Sequence, residues 1–197
     1  EQGETGLIRM CAESDDAASL FLLEAGADAR AKSKTDPQAK TKTANKTPLH
    51  WASINAMPET AQRLIRSNAE INDQDSYGKT PLCIAAEHDD HVMVQLLLNS
   101  SANVELKADQ GWTSLHAAAS NGNVKILNSL LQAKADYTVV TADMASPLIK
   151  ASVRGHATAV SALISAGADV DAKNANQHTG VPCYLFMLPR VLFYPTA

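Results

Sequence analysis

The sequence predicts an all-α protein built as a stack of about five short helix pairs, and three observations carry that expectation. A tetrapeptide returns every 33 residues, as Thr47-Pro48-Leu49-His50, Thr80-Pro81-Leu82-Cys83, Thr113-Ser114-Leu115-His116 and Ser146-Pro147-Leu148-Ile149. A second marker keeps the same step: Asn68-Ala69-Glu70, Ser101-Ala102-Asn103, Lys134-Ala135-Asp136 and Gly167-Ala168-Asp169. The composition agrees, with 33 alanines, 45% apolar residues and only 5% aromatics. That balance suits closely packed helices rather than thick sheets.

The elements follow in order within each unit. Thr47 and Thr80 suit an N-cap, where a hydroxyl accepts an orphan backbone N–H, and Pro48 and Pro81 suit the first helical position. Small residues follow on the first helix, at Ala52, Ala85-Ala86, Ala117-Ala118-Ala119 and Ala151, and let neighbouring helices approach closely. Gly122 and Gly155 fit the positive-φ end of that helix. The second helix carries the apolar bulk: Leu64-Ile65, Val94 with Leu96-Leu97-Leu98, Ile126 with Leu130-Leu131, and Leu163-Ile164. Its terminating position holds Gly26 or Gly167 at the ends but Asn68, Ser101 and Lys134 in the middle units. Ser and Lys there should each cost up to about 1 kcal/mol. Asp75-Ser76-Tyr77-Gly78 and Asp109-Gln110-Gly111 then read as tight turns opening the next unit.

A 33-residue period with a T-P-L-H-x-A core resembles the ankyrin repeat. The resemblance spans residues 5–178, with repeats near 5–45, 46–78, 79–111, 112–144 and 145–178. The first unit departs from the period. Leu7 aligns with Leu49 at a spacing of 42, so nine extra residues fall in a Lys-rich insert at 30–42. Arg30, Lys32, Lys34, Lys40, Lys42 and Lys46 there surround a single acidic residue, Asp36. The insert reads either as a basic finger for an acidic partner or nucleic-acid backbone, or as a solvated loop. Its lack of an aromatic on which a base could stack favours the solvated loop.

After residue 178 the pattern breaks. Residues 179–197 read as a degenerate repeat or a non-repeat hydrophobic tail, with Pro182, Pro189 and Pro195 set against a long helix. A truncated or misread coding end is the second reading. A membrane-associating segment, interrupted by Arg190, is the third. Because residue 1 is Glu rather than Met, a fragment or a processed form is expected.

Charge and cysteine usage narrow the function. A net charge of −4 opposes a nucleic-acid binder with a dedicated basic face. Cys11, Cys83 and Cys183 lie too far apart for a zinc knuckle, and an odd set suits a reducing compartment. No run reaches the roughly 18 apolar residues of a membrane span. The densest polar cluster is Glu87-His88-Asp89-Asp90-His91, whose His-x-x-His spacing has metal-ligand character. The repeat register places it between two helices, however, where Asp89 and Asp90 would cap the second. With no nucleophile arrangement and no phosphate loop, no catalytic residue, cofactor or metal is expected.

The resemblance implies the rest. His50 and His116 are the repeat histidines, which in the family hydrogen-bond the neighbouring loop. The family's usual role is non-catalytic protein–protein interaction on a concave surface, here by an intracellular monomer, cytoplasmic or nuclear, without nucleic acid or membrane. The alternative is a regulatory or substrate-recruiting fragment of a larger enzyme (a kinase, ubiquitin ligase or acyltransferase) whose catalytic domain is absent. Variable contact positions of the family fall at the turn tips on Ser76, Tyr77 and Lys79, then Asp109, Gln110 and Trp112, then Ala142, Asp143 and Ala145. At the helix ends they fall on Ile54, Asn55, Glu87, His88, Ser120, Asn121, Val153 and Arg154. A solvated turn needs no large aromatic, so the partner surface is expected to centre on Tyr77 and Trp112. Glu87, His88 and Asp109 would flank it, with Trp51, Lys79, Asn121 and Arg154 as further members. Finally, Asn72 follows Glu70 by two residues and Leu64 by eight. That spacing is similar to the site used by the asparaginyl hydroxylase of the oxygen-sensing pathway.

Overall fold

The computed structural model describes residues 5–33 and 45–179. These residues hold ten α-helices and fall into two compact units divided between Asp109 and Gln110. The first unit contains α1 (Gly6–Ala12), α2 (Asp16–Glu24), α3 (Pro48–Ile54), α4 (Pro58–Arg66), α5 (Pro81–Glu87) and α6 (His91–Asn99). The second contains α7 (Ser114–Asn121), α8 (Val124–Gln132), α9 (Pro147–Val153) and α10 (Ala157–Ser165). In the first unit α1, α3 and α5 stack in one layer and α2, α4 and α6 in another. In the second, α7 packs on α9 and α8 on α10.

Local chemistry starts and stops each helix. Thr5, Thr47, Thr80, Thr113 and Ser146 accept from the third helical amide of α1, α3, α5, α7 and α9. Asp15, Asp90 and Asn123 do the same for α2, α6 and α8. Of the two aspartates read as caps of α6, only Asp90 serves; Asp89 has φ 59° and reverses the chain after α5. Left-handed residues recur in three registers, one of them at the hairpin tips (Asn45, Gly78, Gly111, Met144 and Gln177). Ser14, Ala56, Asp89, Gly122 and Gly155 close the first helices, while Gly26, Asn68, Ser101, Lys134 and Gly167 close the second. Lys134 holds φ 68° at a position that glycine fills without strain. Lys134→Gly should raise the urea midpoint, by up to about 1 kcal/mol of stability; a lower midpoint would show that this backbone carries no such strain.

The core is aliphatic and small. Leu7, Leu49, Leu64, Leu82, Met93 and Leu97 are fully buried in the first unit, and Leu115, Ile126, Leu127, Leu130 and Leu148 in the second. The alanines Ala52, Ala85, Ala86 and Ala117–Ala119 are enclosed too, which is what close helix approach requires. Side chains then join successive repeats. Asn55 Nδ2 donates to Cys11 O (2.7 Å), completing the carbonyl end of α1, and the Thr60 hydroxyl donates to Asp16. In the second unit His156 Nε2 donates to Ser120 O (2.9 Å).

Asn174 N donates to His178 O (2.9 Å), with Gln177 at φ 62°, so the hairpin of each earlier repeat is formed once more up to Thr179. Residues 180–197, which carry the tail readings, lie outside the described residues. The described residues at the base of the Lys-rich insert are held by hydrogen bonds and ion pairs. Ser33 N donates to Lys46 O (3.0 Å) and Lys46 N to Ser33 Oγ (2.9 Å), closing a neck. Arg30 Nε donates to Asn68 O (2.8 Å), and Lys32 and Lys46 pair with Asp73 and Asp75 at the next tip (2.9 and 2.6 Å). Lys34, Lys40 and Lys42 lie outside the described residues.

Candidate functional site

The first unit carries a groove built around one hairpin tip. Asp75 N donates to Lys79 O and Gly78 N to Asp75 O, both at 2.9 Å, closing a tight turn. Gly78 has φ 69°, and a Cβ there would come within 3.1 Å of Ala108 Cα, so the position admits only glycine comfortably. Tyr77 O accepts from Asp109 N (2.9 Å), tying this tip to the next strand of chain. The backbone is thus fixed while the Tyr77 side chain stays 39% exposed. An open groove of about 200 Å³ lies beside it, lined by Lys46, Ile54, Asp75, Tyr77, Lys79, Ile84, Glu87 and His88.

Its charges are neutralised internally. Lys79 Nζ meets Glu87 Oε2 at 2.6 Å; burial would lower the ammonium's pKa, but the Glu87 carboxylate outweighs it and raises it. Asp75 is buried, which would raise its carboxyl, yet hydrogen bonds from Lys46 and from the Tyr77 and Lys79 amides hold it below the usual carboxylate value. Behind the tip, Thr47 N donates to His50 Nδ1 (3.1 Å), and His50 Nε2 donates to Lys79 O (3.0 Å). This is the loop bond expected of the repeat histidine, and burial lowers its pKa.

His116 repeats the arrangement in the second unit. It takes Thr113 N at 3.3 Å and donates to Ala145 O at 3.2 Å, and burial pushes its pKa down to about 4. The unfolded imidazole titrates near 6.5, so between about pH 6.5 and 4 the unfolded chain binds the extra proton and stability falls as pH falls. His116 alone should remove about 3 kcal/mol by pH 4. Urea midpoints at pH 7 and pH 4 measure it: His116→Gln should start lower but lose less on acidification, and an equal loss would contradict the assignment.

Trp112 lies half-buried in the second unit, its ring 5.6 Å from the His116 ring and beneath Lys150 Nζ (5.2 Å to the centroid). Lys150 also pairs with Asp143 at 3.0 Å, whose carboxyl is held low first by the Thr141 hydroxyl and then by Lys150. Asn121 and Arg154 are exposed where α7 and α9 end.

Of the expected contact residues, the groove gathers Tyr77, Lys79, Glu87 and His88. Trp51 is half-buried on α3, and its indole N–H, like that of Trp112, is enclosed without an acceptor among the described residues. Asp109 is exposed and meets the tip through its backbone. Asn72 is exposed, and its amide oxygen accepts from Asn103 N (2.8 Å), bonding the following loop rather than its own. Lys46, Asp75 and Ile84 complete the groove and were absent from the expected set. Lys46 had been grouped with the insert and Asp75 with the turn; neither residue's own sequence neighbourhood reveals their pairing.

A stack of helix pairs with hairpin tips, repeated on one period, defines a helical repeat protein. The family model described as ankyrin repeats (3 copies) matches residues 49–141 and 109–174. The chain belongs to the ankyrin-repeat family. No curated protein matches it as a relative.

Proposed function

We propose that this chain is a non-catalytic recognition module that takes a protein partner in the Tyr77 groove of its first unit. Ankyrin repeats are in general protein–protein interaction modules, and ankyrin domains are in general non-catalytic. The observation that carries the reading is Tyr77 itself. An aromatic ring 39% exposed on a fixed tip, beside Ile54 and Ile84, is the kind of side chain that anchors interfaces. Trp112, with Asn121 and Arg154, is proposed as a further contact patch on the second unit. Cys11 and Cys83 are both buried free thiols, which supports an intracellular setting; no described helix is long and apolar enough to cross a membrane. Asn72 is kept as a hydroxylation site, and one added oxygen by intact mass after incubation with the asparaginyl hydroxylase would establish it.

Tyr77→Ala should leave the helical circular dichroism intact and weaken a partner recovered by pull-down by about 2 kcal/mol, and Trp112→Ala should do likewise. Phe21→Ala, at a side chain 69% exposed on α2 and away from the groove, should change nothing. Binding that survives both the Tyr77 and Trp112 changes would move the interface elsewhere.

A further inference from the structure

Five residues open the hairpin tips: Asp75, Ala108, Thr141 and Asn174 at the 33-residue step, and Ser33, which stands 42 residues before Asp75. Most serve their own hairpin with a neutral group. Ser33 Oγ accepts from Lys46 N (2.9 Å), and Asn174 Oδ1 accepts from Asn176 N and His178 N (3.0 and 2.9 Å). The Thr141 hydroxyl donates to Ala145 O (3.0 Å), and Ala108 has no polar group to offer. Asp75 alone brings a charge. Its Oδ1 accepts from Tyr77 N (2.9 Å) and Lys79 N (3.0 Å), as Asn174 does in its own hairpin.

Its second oxygen does something the others do not. Oδ2 takes Lys46 Nζ at 2.6 Å, with the two side chains 10% and 0% exposed for lysine and aspartate. Lys46 comes from the preceding tip, 29 residues earlier, where its own backbone closes the neck with Ser33. The same ammonium stands 5.9 Å from the centroid of the exposed Tyr77 ring. A carboxylate buried without a counter-charge is strongly unfavourable, so the tip closes on Asp75 only while Lys46 is in place.

We infer that Lys46 is a positioning residue for the recognition groove: by neutralising buried Asp75 from the preceding tip, it holds Tyr77 and Lys79 in one presentation. This rests on the groove being the partner surface. The groove is then a property of two successive tips, and a tip carrying Tyr77 without its upstream lysine would present the ring differently.

Native-state hydrogen exchange on the full chain tests it. The quantity read is the ratio of the Tyr77 and Lys79 amide rates to the Leu97 amide rate, which divides out a uniform change in stability. Lys46→Met should raise the ratio at least tenfold. Lys46→Gln, which keeps a donor and serves as the test should the methionine variant fail to fold, should raise it about threefold or more. Adding Asp75→Asn to Lys46→Met leaves an acceptor but no stranded charge, and should return the ratio to within about threefold of the parent. Ratios unchanged in both single variants, or a double variant as fast as Lys46→Met, would overturn the assignment. Partner affinity is a separate readout. Its survival in Lys46→Met alongside a raised ratio would reject the groove as the partner surface while leaving Lys46 as the residue that positions the tip.

Discussion

Lys46→Met should lower the stability of the first unit by about 3–5 kcal/mol, the usual result of stranding one member of a buried ion pair. Asp75 has no side-chain exposure, so water cannot replace the lost ammonium. The pH dependence gives the prediction its sign. In the parent the carboxyl is held below its ordinary value, so its contribution is present above the unfolded pKa and is lost as pH falls through the folded one. In Lys46→Met only the Tyr77 and Lys79 amides still oppose burial, so the carboxyl rises relative to the parent, and acidification lets Asp75 take a proton and relieves the strain. The gap between parent and variant should therefore narrow from pH 7 towards pH 4, in urea melts followed by circular dichroism. Lys46→Met/Asp75→Asn, which leaves no charge behind and keeps an acceptor for the Tyr77 and Lys79 amides, should recover most of the loss. A loss below about 1 kcal/mol for the single variant would mean that water reaches this pair.

The second large effect is steric. Leu97 is fully buried on α6, which packs against α4 and α5. Leu97→Ala should cost about 2–5 kcal/mol, the transfer of the lost methyls plus the cavity left behind. Because each repeat is stabilised mainly by its neighbours, the loss should appear at amides of α4, α5 and α6 together, rather than at α6 alone. Hydrogen exchange resolved by helix measures this. A near-neutral melt would remove Leu97 from the core.

What the sequence discloses about this protein is what recurs in it. Thr47 and Thr80 cap helices because the hydroxyl and the third amide belong to one short stretch of chain, and that geometry is written locally. Lys134 could be placed in a strained backbone position because Gly26 and Gly167 stand in the same register. Asp89 was misread because two adjacent aspartates both suit a cap, and only the reversal after α5 decides between them. The Lys46–Asp75 pair was invisible because its members stand 29 residues apart at two successive tips and neither matches a repeating marker. Tyr77 and Trp112 looked alike for the same reason. Both sit at tips, yet the ring of Trp112 is covered by Lys150 from a helix 38 residues further on, while Tyr77 keeps an open side.

Four of the side chains that join successive repeats aim at main-chain carbonyls. His50 reaches the oxygen of Lys79, His116 that of Ala145, Asn55 that of Cys11 and His156 that of Ser120. A carbonyl is the same whatever residue carries it. Lys79 and Ala145 occupy equivalent tip positions with unrelated side chains, and each receives its histidine equally well. The joints are therefore blind to the identity of the residue they grip. Substitution at Lys79 or Ala145 can redraw the chemistry shown to a partner without removing the histidine's bond, whereas Asp75, gripped through its side chain, has no such freedom.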